Sequence, residues 1–256
     1  MHVISWESSL VWAVLSAFFI SAAGYVINDF FDLEIDIINR PERILPSRKI
    51  SPKTAYLYSV ILFILGLLSA ALSQNTNCII LAFVNTLLLF YYAKYFKQIM
   101  ILGNLVVAWA AASTFIFGAF ATENLTHGLI PAVFAFLYTM IREFIKDAED
   151  VEGDRDLGAK TLPVLAGVDS VIYASIIPFS IMIGFSIYLN RKMLMPFHTY
   201  ILMNLLVNIP LLVYLIKLRL KPTKQSFSKA SKFFKLNMLI LLIVLLSAII
   251  NLEKIL

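Results

Sequence analysis

Apolar residues run along this chain in blocks of about twenty, parted by short polar stretches. The blocks cover 9–28, 54–73, 78–95, 100–121, 128–145, 170–190, 196–216 and 233–251. A helix rises about 1.5 Å per residue, so each block is long enough to cross a hydrocarbon core of roughly 30 Å. The pattern predicts eight transmembrane helices in an all-α bundle. A membrane β-barrel would show apolar and polar positions alternating in segments of about ten residues, and the blocks do not alternate. Little chain is left between them, which predicts a single membrane domain over 1–256.

Composition agrees with the pattern. The chain is 60% hydrophobic and 14% charged, with a mean hydropathy of +0.85. Soluble domains carry about a quarter charged residues, so a water-soluble fold is excluded. The first block lacks a basic flank and runs directly into acids at Asp29, which makes it part of the fold and not a cleaved leader. A single cysteine, Cys78, excludes an intrachain disulfide and reads as a packing residue.

Charge sets the orientation. If the spans alternate sides, every basic residue except Arg191, Lys192 and Lys254 falls on one side. The positive-inside rule makes that side cytoplasmic. These loops face anionic headgroups, and the net charge of +5 needs no nucleic acid to explain it. Acids do not follow that rule, yet they collect on the same side, between Asp29 and Glu42 and between Glu143 and Asp156.

Within those stretches the chain twice spells Asp-x-x-Asp-x-x-x-Asp. Asn28 precedes the first copy, Asp29, Asp32 and Asp36; the second is Asp147, Asp150 and Asp154. At about 100° per residue the three acids of each copy fall within an arc of about 60° on one helix face. Carboxylate-rich oxygen sites suit hard cations; Mg²⁺ takes one or two carboxylates and fills its octahedron with phosphate oxygens and water, while the spacing also admits Ca²⁺ or Mn²⁺. Two such blades on facing helices, with Asp32 opposite Asp150, would hold a metal–diphosphate between them. Arg142 and Lys146 stand two turns and one turn before Asp150, and Arg40, Arg43 and Lys97 come from neighbouring loops. Basic groups of this kind hold phosphate oxygens. His2, His127 and His198 do not read as a base or a ligand, and the glycines form no phosphate loop.

On these residues the chain resembles the UbiA superfamily of intramembrane prenyltransferases. The resemblance also takes in Asn39-Arg40-Pro41-Glu42-Arg43, Pro46-Ser47, Lys97 with Gly103-Asn104, Arg142-Glu143, Lys146-Asp147 and the run Gly158 to Pro163. Glu34-Ile35-Asp36, Asn39-Arg40-Pro41 and Gly153-Asp154 look most like the archaeal digeranylgeranylglyceryl phosphate synthases. Where relatives read Arg-Pro-Ile-Pro-Ser-Gly, this chain has Arg43-Ile44-Leu45-Pro46-Ser47-Arg48.

The resemblance implies nine spans, so a helix ahead of the first motif's helix is expected to be missing here. It also implies a cavity open at the cytoplasmic face. There an allylic prenyl diphosphate, geranylgeranyl in this branch, would bind with Mg²⁺ between Asn28, Asp29, Asp32, Asp36 and Asp147, Asp150, Asp154. Arg40, Arg43, Lys97, Arg142 and Lys146 would bind substrate. The implied acceptor is the hydroxyl of geranylgeranylglyceryl phosphate, in archaeal ether-lipid biosynthesis, and no protein partner is implied. Asp32, Asp36, Asp150, Asp154 and Lys146 carry the catalytic expectation. Tyr138, and less strongly Tyr25, Tyr91 and Tyr92, would stabilise a carbocation by cation–π contact if they line the cavity. Prenyl transfer to an aromatic, quinone or chlorophyll-type acceptor is a second reading. An ion-coupled transporter is a third, weakened because coupling sites lie near the midplane and these acids lie at one face.

Overall fold

The computed structural model describes residues 6–252, so His2 and Lys254 lie outside the described residues, as does the side chain of Asn39. Eleven α-helices are described: α1 Trp6–Phe31, α2 Leu33–Asn39, α3 Pro52–Leu72, α4 Thr76–Lys94, α5 Leu102–Ala121, α6 Leu125–Asp156, α7 Leu162–Ala166, α8 Asp169–Arg191, α9 Phe197–Met203, α10 Ile209–Leu220 and α11 Lys224–Leu252. A 3₁₀ turn covers Phe96–Gln98 and a π-turn, Asn204–Asn208, joins α9 to α10. Eight stretches are long and apolar enough to span a bilayer, α9 to α10 counting as one, in agreement with the eight expected blocks.

The ends of two spans differ from the hydropathy pattern. The fifth block stops at 145 in the sequence, but α6 continues to Asp156; the eighth begins at 233, but α11 starts at Lys224. Hydropathy falls where charges begin, whereas the backbone hydrogen bonds of a helix continue through charged residues once they leave the hydrocarbon. The extensions carry the second acid motif and a basic stretch.

The described chain gathers into two compact units. Among the described residues, the first takes those up to Lys97 and 109–132, the second 98–108 and those from Val133 on, so α5 and α6 each contribute to both.

In the first unit α1 packs on α3 and α4. Buried positions on α1 are Ser9, Ala13, Ser16, Ile20, Ala23 and Ile27; on α3 they include Ala55, Ser59, Leu62, Gly66 and Ser69. Both series advance by alternate steps of four and three, the seam of a helix pair packed knobs-into-holes. The pair runs antiparallel: Ser9 Oγ donates to the Ser73 carbonyl at 3.2 Å, and the Phe30 and Tyr56 rings lie 5.2 Å apart at the other end. Small residues dominate the seam because lipid gives no hydrophobic gain for helix association, leaving close van der Waals approach to supply it. Gly66 marks the closest point, where a Cβ would come within 2.5 Å of Ile20 Cγ1. Cys78 is fully buried in this core, as a packing residue.

In the second unit α11 packs on α9, α10 and the π-turn, and α8 packs on α9 and α10. The C-terminus of α6 is closed by Gly158 at φ +68°. Its N–H donates to the Arg155 carbonyl at 3.0 Å and that of Ala159 to the Asp154 carbonyl at 2.9 Å. This is a Schellman cap, which needs a left-handed residue. It returns the chain so that the Lys160 N–H donates to the Gln98 carbonyl at 2.9 Å.

Gly66→Leu is expected to lower unfolding stability in detergent by about 1–3 kcal/mol, the cost of overpacking a closed seam. Gly184→Leu is the control, since a Cβ there meets nothing within 4 Å. Equal thermal midpoints for the two variants would contradict this packing.

Candidate functional site

The first motif straddles a helix junction. Asp29 lies on the last turn of α1, Asp32 is the turn residue between helices, and Asp36 is on α2. The junction is nearly helical, because the Asp32 N–H donates to the Asn28 carbonyl at 2.9 Å and the Asp36 N–H to the Asp32 carbonyl at 2.8 Å. The shared face survives. Arg43 Nη1 donates to Asp36 Oδ2 at 2.7 Å and to Asp29 Oδ1 at 3.4 Å, bridging the first and last acids. The hydrogen bond that Arg43 donates to Asp36 raises the Arg43 pKa further above its already high ordinary value. Asp32 takes other partners: Lys97 Nζ, and Asn28 Nδ2 at 2.7 Å.

That last bond turns the Asn28 amide so that its Oδ1 is buried without a hydrogen-bond partner. An orphaned amide oxygen costs about 1–3 kcal/mol unless something coordinates it. Beside three carboxylates it is a donor set of the kind that hard cations select. The residues therefore fit a Mg²⁺ ion by their chemistry. Among the described residues no three acid, His or Cys side chains are gathered into a ready metal site, and Arg43 and Lys97 engage the acids of the first motif.

The second motif lies on the continuous helix α6. Asn104 Nδ2 donates to Asp147 Oδ2 at 2.8 Å, and Thr161 Oγ1 donates to Asp154 Oδ2 at 3.0 Å. The Gly158 cap is what returns Thr161 to Asp154. Asp150 is exposed on the same helix. Arg142 is paired with its neighbour Glu143, a buried acid, and Lys146 is half-buried. Arg40 is exposed and caps α2, its N–H donating to the Asp36 carbonyl.

The aromatic candidates lie in different settings. Tyr138 is fully buried, its ring edge-on to Phe234 at 6.4 Å and its hydroxyl donating to Asn237 Oδ1 at 2.9 Å. Tyr25 is exposed on a groove lined by Ala17, Phe18, Ser21, Ala22 and Thr114. Tyr91 stacks on Tyr95 and Phe96. Sequence reasoning gave no role to Asn104, Glu143, Thr161 or Asn237. Asn104 and Thr161 lie in stretches it singled out, and Asn237 is an amide well inside an apolar block, which is itself a signal.

Comparison with known proteins now places the chain. The UbiA prenyltransferase family matches residues 2–243. The chain belongs to that family. A digeranylgeranylglyceryl phosphate synthase from Methanococcus aeolicus is 35% identical over 243 residues, covering 94% of this chain and 84% of the relative. A solved digeranylgeranylglyceryl phosphate synthase structure superposes with a TM-score of 0.81 at 33% identity, covering 97% of this chain and 88% of that one. A UbiA homologue from Archaeoglobus fulgidus, bound to DMAPP and Mg²⁺, shares the fold with a TM-score of 0.63 at 17% identity, covering 91% and 88% of the two chains. The family is one of transferases, which sets the transporter reading aside. The chain is a multi-pass membrane protein of the UbiA fold.

The Arg43 bridge gives a testable charge balance. Arg43→Gln leaves Asp29 and Asp36 without their shared counter-charge, and is expected to cost about 0.5–1 kcal/mol as a partly exposed pair. Added Mg²⁺ should then raise the thermal midpoint of the variant more than that of the parent, measured against EDTA. An equal shift in both proteins would show that Mg²⁺ and Arg43 do not compete for these acids.

Proposed function

We propose that this chain transfers a geranylgeranyl group from its diphosphate to geranylgeranylglyceryl phosphate, in archaeal ether-lipid biosynthesis. The observation that carries the reading is the near full-length relation to a protein of that activity. The oxygen donors of the first motif agree with it, because a metal–diphosphate needs them.

In this reading Asn28, Asp29, Asp32 and Asp36, together with Asp147, Asp150 and Asp154, hold divalent metal, with Mg²⁺ the ion their hard oxygens suit. Both motifs serve one activity. When bound, Mg²⁺ supplies positive charge to the leaving diphosphate and so favours ionisation of the allylic C–O bond. Arg40, Arg43, Lys97, Arg142 and Lys146 bind phosphate oxygens by charge-assisted hydrogen bonds, which strengthen as charge develops on the leaving group. Arg43 and Lys97 already hold carboxylates of the first motif, so these cations and acids lie within reach of one ligand. The acceptor hydroxyl then attacks the allylic carbon as the diphosphate departs, and its proton is released with the diphosphate. The positive-inside rule puts this chemistry at the cytoplasmic face, where both substrates keep their tails in the bilayer and their phosphates in water.

Product analysis tests the reaction itself. Purified protein with Mg²⁺ is offered prenyl diphosphates of several lengths, with geranylgeranylglyceryl phosphate, aromatic and chlorophyll-type acceptors. Mass spectrometry should detect the doubly prenylated glyceryl phosphate and release of pyrophosphate. An aromatic or chlorophyll-type product in its place would move the chain to another branch of the family.

Asp36→Asn and Asp154→Asn test the metal assignment, because Asn keeps the size and removes the charge. At least one should lose about a hundredfold in turnover at saturating Mg²⁺, the scale of losing one strong transition-state contact. Solvation of a helix end alone would leave turnover intact and change stability by less than about 0.5 kcal/mol. Arg142→Ala and Lys146→Ala should raise KM for prenyl diphosphate more than KM for the acceptor.

A further inference from the structure

The helix that carries the second motif is tied to α11 at two points of different quality. Near the charged end, Lys224 on α11 pairs with Glu152 on α6, with side chains 66% and 67% exposed. An exposed pair of this kind contributes little and tolerates movement. At the other point, Tyr138 Oη donates to Asn237 Oδ1 at 2.9 Å, with the Phe234 carbonyl at 3.2 Å. Both side chains are buried, Tyr138 at 0% and Asn237 at 1% exposure.

Asn237 is committed on its other side as well. Its Nδ2 donates to the Leu206 carbonyl at 2.7 Å. Leu206 lies in the π-turn Asn204–Asn208, where backbone bonding shifts from the fourth to the fifth residue back. One amide therefore joins three elements: α6, α11 and the turn between α9 and α10. The surrounding contacts are apolar, among them the Tyr138–Phe234 ring pair. Apolar surfaces pack in several neighbouring registers at similar energy, whereas a buried hydrogen bond has one, and a buried amide is known to fix register for that reason.

What this register controls follows from helix geometry. Arg142 and Lys146 come four and eight residues after Tyr138, about 40° and 80° round α6 and about 6 and 12 Å along it. They sit on the face that the Tyr138 bond orients. We propose that Asn237 is a positioning residue for prenyl transfer: through Tyr138 it sets the rotation and depth of α6, and with them where Arg142 and Lys146 meet the diphosphate. The proposal rests on the reading that these two cations bind diphosphate. Tyr138 acts in it through its hydroxyl and not through its ring face.

The competing role is simple interhelical adhesion, which would change stability and nothing else. Asn237→Leu, Tyr138→Phe, Arg142→Ala and the double variant Asn237→Leu/Arg142→Ala separate the two roles. Each is purified in detergent with Mg²⁺, and KM for geranylgeranyl diphosphate, KM for geranylgeranylglyceryl phosphate and the thermal midpoint are measured. Asn237→Leu and Tyr138→Phe should each raise the diphosphate KM about 3- to 15-fold, the span of one interhelical hydrogen bond, with the acceptor KM unchanged. The double variant should lose less than the product of the two single effects, the remainder being the displacement of Lys146, because residues acting through a shared group are not additive. Should Asn237→Leu fail to fold, Tyr138→Phe, which loses only a hydroxyl, carries the same test. A lowered midpoint with the diphosphate KM unchanged in Tyr138→Phe overturns the proposal. An unchanged diphosphate KM in Arg142→Ala overturns the phosphate assignment instead, and is read independently of the other variants.

Discussion

The hydrocarbon interior offers no water to a backbone N–H or carbonyl, so a chain that crosses it must satisfy every such group from within. Most features described above follow from that requirement. It makes the spans helical and lets α6 run unbroken from Leu125 into the charged stretch that ends at Asp156. It explains why the first motif keeps helical bonding across the turn at Asp32, and why the π-turn has Asn237 bonded to one of its carbonyls. Where the ladder is irregular, a specific side chain or turn makes up the bonding.

The acids at the membrane boundary raise the second requirement. Carboxylates crowded on one face repel each other, and this structure meets the repulsion with cations of its own. Arg43 bridges Asp29 and Asp36, and Lys97 reaches Asp32 from the end of another helix pair. The second motif uses neutral donors as well, Asn104 on Asp147 and Thr161 on Asp154. Acids held by amides and hydroxyls are oriented without an ion pair.

Much of this was legible in the sequence, for reasons that differ by residue. The eight spans could be read because twenty apolar residues have few other uses. The common face of Asp29 and Asp36 could be read because a seven-residue offset is nearly two whole helical turns. The far end of α6 could be read from the spacing of its acids but not from hydropathy, which reports the solvent around a helix and not its hydrogen bonds. Lys97 was identified as a phosphate-binding cation, but its partner Asp32 lies 65 positions away and depends on how the helices pack. The π-turn and the Tyr138–Asn237 bond left no periodic trace, because each depends on a single residue meeting a distant one.

The unbroken course of α6 has a consequence for how this chain tolerates insertions and deletions. Between Tyr138 and Asp147 there is no loop to absorb a change in length. Removing one residue there turns Asp147, Asp150 and Asp154 together by about 100° relative to Tyr138 and draws them about 1.5 Å nearer to it. A substitution in that stretch alters one side chain, while a single-residue gap displaces a whole row of them. The same gap in the turn at 192–196, between α8 and α9, falls where no helix has to carry it onward. Length in this protein is fixed most strictly along the rod that joins a buried tyrosine to a row of acids.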